Sequence, residues 1–309
     1  MDNTPQSPYH IPVLWKESLN ALNIQPNGVY VDCTFGGGGH SRGILAQLGP
    51  EGKLIAFDQD EDAIKNLPED NRILFVPHNF RHLQRFLRLH QIAQVDGILA
   101  DLGVSSHQFD EASRGFSIRF DAAMDMRMDR RQEKTAYQIV QNYSEQQLHK
   151  LFEKYGEVTN SKTLARTIVA IRDKVSLQTI DSFKNALRSV VKGNPNKYFA
   201  QVFQALRIEV NEELVVLEEL LQQIPPLLKP GGRAAIITFH SLEDRLVKNF
   251  FRSGSFEEEE DLNPFINTKK VHPLKLITKK PIGPDDEELK RNPRSRSARL
   301  RVAEKKSEE

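Results

Sequence analysis

The sequence predicts an α/β fold in which a doubly wound, mostly parallel sheet is interrupted by a helical insert. Short apolar runs rich in β-branched residues alternate with helical patterns as far as residue 101. Three runs end in, or run directly into, an aspartate: Asp32, Asp58 and Asp101. Polar residues at the carboxyl ends of parallel strands are typical of sheets that bind a ligand at that edge.

The first elements are a strand, a glycine loop and a helix. The strand Gly28–Val31 precedes the loop Gly36–Ser41, and Ile44, Leu45 and Leu48 follow at helical spacing. Four consecutive glycines let a ligand approach the backbone closely, and the start of the helix offers unpaired N–H groups. A polar or negatively charged ligand group is therefore expected at this loop.

The loop departs from two common nucleotide-binding fingerprints. Ser41 occupies the sixth position, where a dinucleotide fingerprint has glycine or alanine, and the Gly-Lys-Ser/Thr ending of a P-loop is absent. Asp32 suits a ligand with an amino acid or cationic end, and Asp58, after the strand Lys53–Phe57, lies where a carboxylate usually accepts from ribose. Together these features predict S-adenosylmethionine. The alternative is a loop rich in glycine only because it turns tightly.

Further strands are predicted at Arg72–Val76 and Val95–Asp101, with a loop at Phe80 and a helix between them. Helical patterns near residues 148–155, 164–171 and 183–191 then replace the strands. We therefore predict a core domain of residues 1–109 and 208–309, and an inserted helical domain of residues 110–207 that recognises the substrate. In the second core segment, one helix from Val210 is expected to end at Pro225 and to precede the strand Arg233–Phe239. A final pair of strands is predicted at 274–278 and 298–303.

Composition bounds the class of protein. The 309 residues carry a formal net charge of +1, so any nucleic-acid surface has to be local. The single cysteine, Cys33, excludes an intramolecular disulfide and a multi-cysteine zinc site. No apolar run reaches the length of a membrane span and residues 1–20 lack a signal pattern, so we expect a cytoplasmic protein without membrane contact. Asp121, Asp125 and Asp129 alternate with arginines, which favours a salt-bridged or RNA-facing loop over a metal site.

Several ordered blocks resemble a known family along nearly the whole chain. They are His10–Leu14, Thr34–Ser41, Asp101–Ser106, Arg114–Ser117, Met124–Asp129, Phe203–Asn211, Phe239–Arg245 and Asn292–Arg294. In these blocks the sequence is similar to the bacterial ribosomal RNA small subunit methyltransferase H family. The resemblance implies a class I, Rossmann-like, S-adenosylmethionine-dependent methyltransferase with a helical insert. It further implies methylation of N4 of a decoding-site cytidine in 16S rRNA within the small ribosomal subunit.

The resemblance also implies a cofactor site. By motif, Gly38, Gly39 and His40 would contact the methionine part, Asp58 the ribose and Phe80 the neighbourhood of the adenine, with Asp101 and Gln108 completing the pocket. The chain departs from the family at His107, at the lead into Met124 and at Asn196–Phe199, which affects substrate contacts rather than the cofactor site. The oligomeric state is not fixed by the sequence, and a homodimer is compatible with it.

Asp101 is the candidate catalytic residue. Cytosine N4 is a poor nucleophile, and an acceptor for its hydrogens would favour the attacking geometry and take up the departing proton. Asp101 lies where other amino methyltransferases carry an Asp/Asn-Pro-Pro-aromatic motif, from which Leu102–Val104 departs. A role for Asp101 in orienting the cofactor alone is the competing interpretation.

Other polar residues have structural alternatives. Ser241 and Asp244 have capping-box spacing and are expected to start a helix, while His240 either touches substrate or packs structurally. Two basic stretches, Arg114–Arg131 and Lys290–Arg301, are the candidate RNA contacts. A nicotinamide oxidoreductase is disfavoured by Ser41, and a noncatalytic RNA-binding assembly factor by the nearly complete set of ligand-type residues.

Overall fold

A computed structural model describes residues 12–257 and 272–307, so His10 and Ile11 of the first family block lie outside the described residues. The chain divides into two compact units, and the division falls after Gly103 and again before Val216. The inserted unit thus begins before residue 110 and ends after residue 207, because Val104, Phe109 and Val210 pack with the apolar cluster of that unit.

The core unit is an α/β sheet domain. Its elements are α1 (Trp15–Leu22), β1 (Val29–Asp32), α2 (Gly39–Gln47), β2 (Lys53–Phe57), β3 (Ile73–Val76), α3 (Leu83–Leu89), β4 (Val95–Asp101), α10 (Glu213–Leu227, from Val216 on), β5 (Leu228–Thr238), α11 (Ser241–Ser253), β6 (Leu274–Leu276), α12 (Asp286–Arg291) and β7 (Arg299–Lys305). The strand order is β3-β2-β1-β4-β5-β7-β6, with β1 to β5 parallel and β7 antiparallel to both of its neighbours. The predicted Rossmann-like α/β class is confirmed.

Helices cover both faces of this sheet. Side chains alternate along each strand, so Leu54 packs with α1 and α2, whereas Ile55 and Phe57 pack with α3, α10 and α11. Both clusters consist of nearly inaccessible aliphatic and aromatic side chains. This packing fixes the strand ends at one edge, where the sequence places its aspartates.

Three predicted details are wrong. A left-handed residue, Glu212, separates two helices where one was expected. The second of them continues through Pro225 to Leu227, because its buried apolar face extends past the proline into the core. The strand expected to begin at Arg233 begins at Leu228 instead, and the β4–β5 register jumps between the pairs Val95–Leu228 and Gly97–Arg233.

The inserted unit is helical, as predicted. Its helices are α4 (Ser106–Asp110), α5 (Ala136–Asn142), α6 (Glu145–Lys154), α7 (Ser161–Ile171), α8 (Ile180–Ala186) and α9 (Pro195–Asn211). They enclose an apolar cluster of their own, in which Phe183 and Phe203 meet edge to face. Among the described residues of the chain, no helix is long and apolar enough to cross a membrane.

Candidate functional site

The carboxyl edge of the core sheet gathers three predicted ligand residues. Asp32, the last residue of β1, pairs in register with Ala56 of β2 and Leu99 of β4, so β2 extends one residue and β4 two residues beyond it, to Asp101. Asp58 follows β2 directly, and its Oδ2 accepts a 2.7 Å hydrogen bond from the Gly36 N–H. This hydrogen bond therefore fixes the glycine loop to the residue that follows β2.

The glycine loop is shaped by both conformation and crowding. Gly38 has φ 73°, in the left-handed region, and caps α2, whose first residue is Gly39. A Cβ on Gly39 would lie 2.2 Å from Cγ of Pro12, which leaves no room for a side chain. The Gly39 carbonyl accepts from the indole N–H of Trp15 at 3.2 Å and the Gly37 carbonyl from Arg42 at 2.7 Å. Side-chain hydrogen bonds thus fix the direction of the Gly37 and Gly39 carbonyls.

His40 and Asp101 face each other beside this loop. Nδ1 of His40 lies 3.7 Å from Oδ2 of Asp101, too far for a strong hydrogen bond. His40 Nε2 and Asp101 Oδ1 are buried and lack a hydrogen-bond partner within the part of the chain that the structure describes. Burial lowers the pKa of His40 to about 4, so the imidazole is neutral at pH 7. Two buried polar atoms that have no partners among the described residues are what a site shaped for a polar ligand would present.

Asp101 lies in a field of negative charge. Burial, followed by the carboxylates of Asp32, Glu243 and Glu288, holds the pKa of Asp101 well above its usual value. In this setting a positively charged ligand stabilises the ionised form of the carboxyl group, and without one the carboxylate accepts a proton readily. Both properties match a site for a sulfonium compound and an amine.

Asp58 and Phe80 flank the second and third strands. Asp58 is half-buried; its Oδ1 accepts from the Asp60 N–H at 2.8 Å, and burial raises its pKa to about 6 despite these backbone hydrogen bonds. Phe80 begins the short 3₁₀ helix Phe80–His82 after β3, and its ring packs partly against the core. Their roles at the ribose and near the adenine stay predictions.

Asp32 does not have the role that the strand pattern suggested. It is fully buried, and Oδ2 accepts from Ser41 Oγ at 2.7 Å while Oδ1 accepts from the Thr34 N–H at 3.1 Å. The Thr34 hydroxyl accepts from the Asp101 N–H at 2.7 Å. Sequence reasoning missed Thr34 and Ser41; their positions two and nine residues after a strand-ending aspartate were the available signal.

Gln108 lies in the inserted unit and is buried there. It forms a capping box with Ser105: its Oε1 accepts from the Ser105 N–H at 3.1 Å, and its own N–H donates to Ser105 Oγ at 3.2 Å. A structural role in starting α4 is therefore evident. Its place in the cofactor pocket stays a prediction.

Most of the arginines predicted to face RNA in the first stretch have partners within the protein. Arg114 is 2% exposed and donates to the carbonyls of Arg127 and Met128. Arg127 pairs with Asp125, and Arg131 pairs with Asp129. The salt-bridged loop that the alternating charges predicted is present.

In the second stretch the key partner is Asp244. Arg301 is buried and donates to both oxygens of Asp244, and Arg299 also donates to it. Asp244 is thus occupied by arginines and does not take part in the cap of α11. His240, rather than the expected Ser241, caps this helix, and its Nδ1 accepts from the Glu243 N–H at 3.4 Å. Asp244 instead joins α11 to β7.

The chain is similar to known proteins along nearly its whole length. The MraW methylase family matches residues 7–306. Ribosomal RNA small subunit methyltransferase H of Bacteroides thetaiotaomicron is 53% identical over 299 residues, covering 96% of this chain and 98% of that protein. The protein of the same name from Flavobacterium johnsoniae is 53% identical over 298 residues, with 96% and 98% covered. A solved rRNA methylase from Streptococcus thermophilus has a TM-score of 0.39 and 12% identity, with 98% and 99% covered. The chain therefore belongs to the MraW methylase family and is an S-adenosylmethionine-dependent methyltransferase.

Proposed function

We propose that this methyltransferase acts on N4 of a decoding-site cytidine in the 16S rRNA of the small ribosomal subunit, in the cytoplasm. The observation that carries the proposal is the unpartnered Oδ1 of Asp101 beside the glycine loop. Relatives more than half identical in sequence carry the name of a small-subunit rRNA methyltransferase, which supports the class of substrate.

When bound, the sulfonium cofactor supplies an electrophilic methyl group. By motif, the residues proposed to hold it are Gly38, Gly39 and His40 at the methionine part, Asp58 at the ribose and Phe80 near the adenine, with Asp101 and Gln108 completing the set. Asp58 fits this role because each of its oxygens keeps a lone pair free beyond the one that accepts a backbone N–H. The carboxylate can therefore accept from ribose hydroxyls without losing the glycine loop.

Asp101 is proposed to act on the nucleophile. As an acceptor for an N4 hydrogen it would turn the nitrogen lone pair toward the methyl carbon, so that the N–C bond would form in line with the carbon–sulfur bond that breaks to release the thioether. The N–H proton then passes to the carboxylate, whose raised pKa suits a proton acceptor. His40, neutral because of burial, leaves the negative charge of Asp101 available for this step.

The test is methyl transfer from labelled S-adenosylmethionine to small ribosomal subunits that lack the modification, with nucleoside mass spectrometry of the product. Asp101→Asn keeps the side-chain shape and removes the proton acceptor, so kcat is expected to fall by about 10²–10⁴-fold with cofactor affinity retained. N4-methylcytidine formed by the native chain supports the proposal. Methylation of another atom, or full activity of Asp101→Asn, contradicts it.

A further inference from the structure

The segment between β3 and β4 concentrates positive charge in a nearly neutral chain. Residues 77–94 contain three arginines and three histidines and no aspartate or glutamate. The whole chain, by contrast, has 43 lysines and arginines against 42 aspartates and glutamates. This segment is therefore a local basic region that the net charge conceals.

Helix α3 divides these residues between two faces. Leu83 and Leu87 are buried against the sheet, whereas Arg85 and Arg88 are exposed. Exposed His82 precedes the helix, and exposed His90 ends it. We call the exposed arginines Arg85 and Arg88, together with the flanking His82 and His90, the α3 cationic face; its charge comes from the two arginines. Arginines three residues apart on a helix lie on the same side, so their guanidinium groups are neighbours.

The cations of this face are available to a partner. Arg81, one residue earlier, is paired with Glu219 of α10 at 2.7 Å. Within the described residues neither Arg85 nor Arg88 forms a side-chain hydrogen bond or ion pair. Burial and the nearby cations Arg81, Arg85 and His78 lower the pKa of His82, which reflects the positive field at this place. In contrast, Arg114, Arg127 and Arg301 of the two predicted RNA stretches have partners within the protein.

We propose that the α3 cationic face binds the phosphate backbone of the RNA substrate. The inference rests on the proposed function for the nature of the polyanion, and it assigns the contact to a surface of the core unit. Two exposed, unpaired guanidinium groups suit phosphate oxygens, which they bind bidentately. The segment leaves β3 at the carboxyl edge of the sheet, the edge that carries the glycine loop. RNA held along α3 therefore reaches the same edge as the candidate cofactor site.

The experiment compares the salt dependence of RNA binding by two double variants of the full chain. Arg85→Ala with Arg88→Ala removes the two unpaired arginines, and Lys279→Ala with Lys280→Ala removes two exposed lysines after β6 as a charge-matched control. Affinity for small ribosomal subunits and for labelled oligouridylate is measured as a function of salt concentration. Each lost phosphate contact is expected to reduce the slope of log K against log salt by about 1, so the arginine variant should lose about 2 and the lysine variant none.

Three further results would overturn the proposal. One is an unchanged slope in the arginine variant, and another is an equal loss in both variants, which would indicate general charge attraction. The third is competition by polyglutamate as strong as by oligouridylate, which would indicate an acidic protein partner. Cofactor affinity and kcat at saturating RNA are expected to stay within about threefold of the native values, because no residue of the face belongs to the cofactor site. RNA binding is measured without catalysis, so its result does not depend on methyl transfer. If the native chain binds RNA but transfers no methyl group, the proposed function is rejected, and the comparison of the two double variants still tests the α3 cationic face.

Discussion

A single hydroxyl joins the ends of β1 and β4. Thr34 Oγ1 accepts from the Asp101 N–H and donates to the fully buried carboxylate of Asp32. Ser41 of α2 donates to the same carboxylate at 2.7 Å. Because Oδ1 of Asp101 has no hydrogen-bond partner in the described structure, the direction of that side chain depends on its backbone. Thr34 is therefore expected to position Asp101 without touching substrate.

Replacing Thr34 by valine tests this expectation with little change in shape. Thr34→Val is expected to lower kcat by about tenfold or more while leaving cofactor affinity nearly unchanged, because a small misplacement of a reacting group slows the chemical step. Thr34→Ser should restore kcat. The control is Ser41→Ala, which removes the other side-chain donor to Asp32 and leaves the contact between Thr34 and Asp101 in place. An equal fall in kcat in Ser41→Ala would mean that the loss comes from the buried Asp32 carboxylate and not from the position of Asp101. Cofactor affinity is measured through the fluorescence of Trp15, the single tryptophan.

Asp58 is expected to make cofactor affinity depend on pH. Burial raises its pKa to about 6 from 3.8, so its contribution to folding stability is present below 3.8 and is lost as the pH rises through about 6. A ribose hydroxyl donates best to the ionised form, so affinity should rise from pH 5 through about 6 and level off near pH 7. A titration of Trp15 fluorescence with cofactor at each pH measures this. Asp58→Asn should weaken binding and remove the rise, and a native profile that is flat between pH 5 and 7 would contradict the assignment.

At the scale of elements, the start of α2 depends on contact with the segment before α1. Gly39→Ala places a methyl group 2.2 Å from Cγ and 2.9 Å from Cδ of Pro12, but 3.6 Å from its Cβ. We expect Gly39→Ala to weaken cofactor binding by about tenfold, since overpacking that displaces this segment costs about 1–3 kcal/mol. Pro12→Ala removes Cγ and Cδ, so the double variant should regain most of the affinity. Failure of this rescue would show that the bare backbone of Gly39, rather than its contact with Pro12, is what the cofactor requires.

Elements with strong local patterns were predictable, and tertiary partners were not. The bounds of β2 and β4 follow from apolar runs, and both strands match the prediction. The roles of Arg114 and Arg301 did not follow, because burial and pairing depend on distant segments such as α11 and the loop around Met128. For the same reason Asp32 has the residue type of a ligand contact but is buried among hydroxyl groups. The sequence thus indicates where the site lies better than which of its polar groups are free.

At the scale of the whole molecule, the described residues 12–257 and 272–307 form two separate sets of buried apolar residues. The sheet unit encloses clusters on both faces of the sheet, and residues 104–215 enclose their own. Trp15 and the glycine loop belong to the first unit. Because each unit buries a core of its own, each is expected to unfold as a cooperative unit.

This arrangement predicts two unfolding transitions that different probes separate. Trp15 fluorescence should follow only the sheet unit, whereas far-ultraviolet circular dichroism should also follow the helices of the insert. Phe183→Ala removes a fully buried ring that meets Phe203, and loss of such a ring costs about 3–5 kcal/mol. It should lower the dichroism midpoint in urea and leave the fluorescence midpoint unchanged, while saturating S-adenosylmethionine should raise the fluorescence midpoint. If both midpoints shift together in Phe183→Ala, the two units unfold in one cooperative transition. The insert would then contribute to the free energy of unfolding of the sheet unit and would not unfold independently.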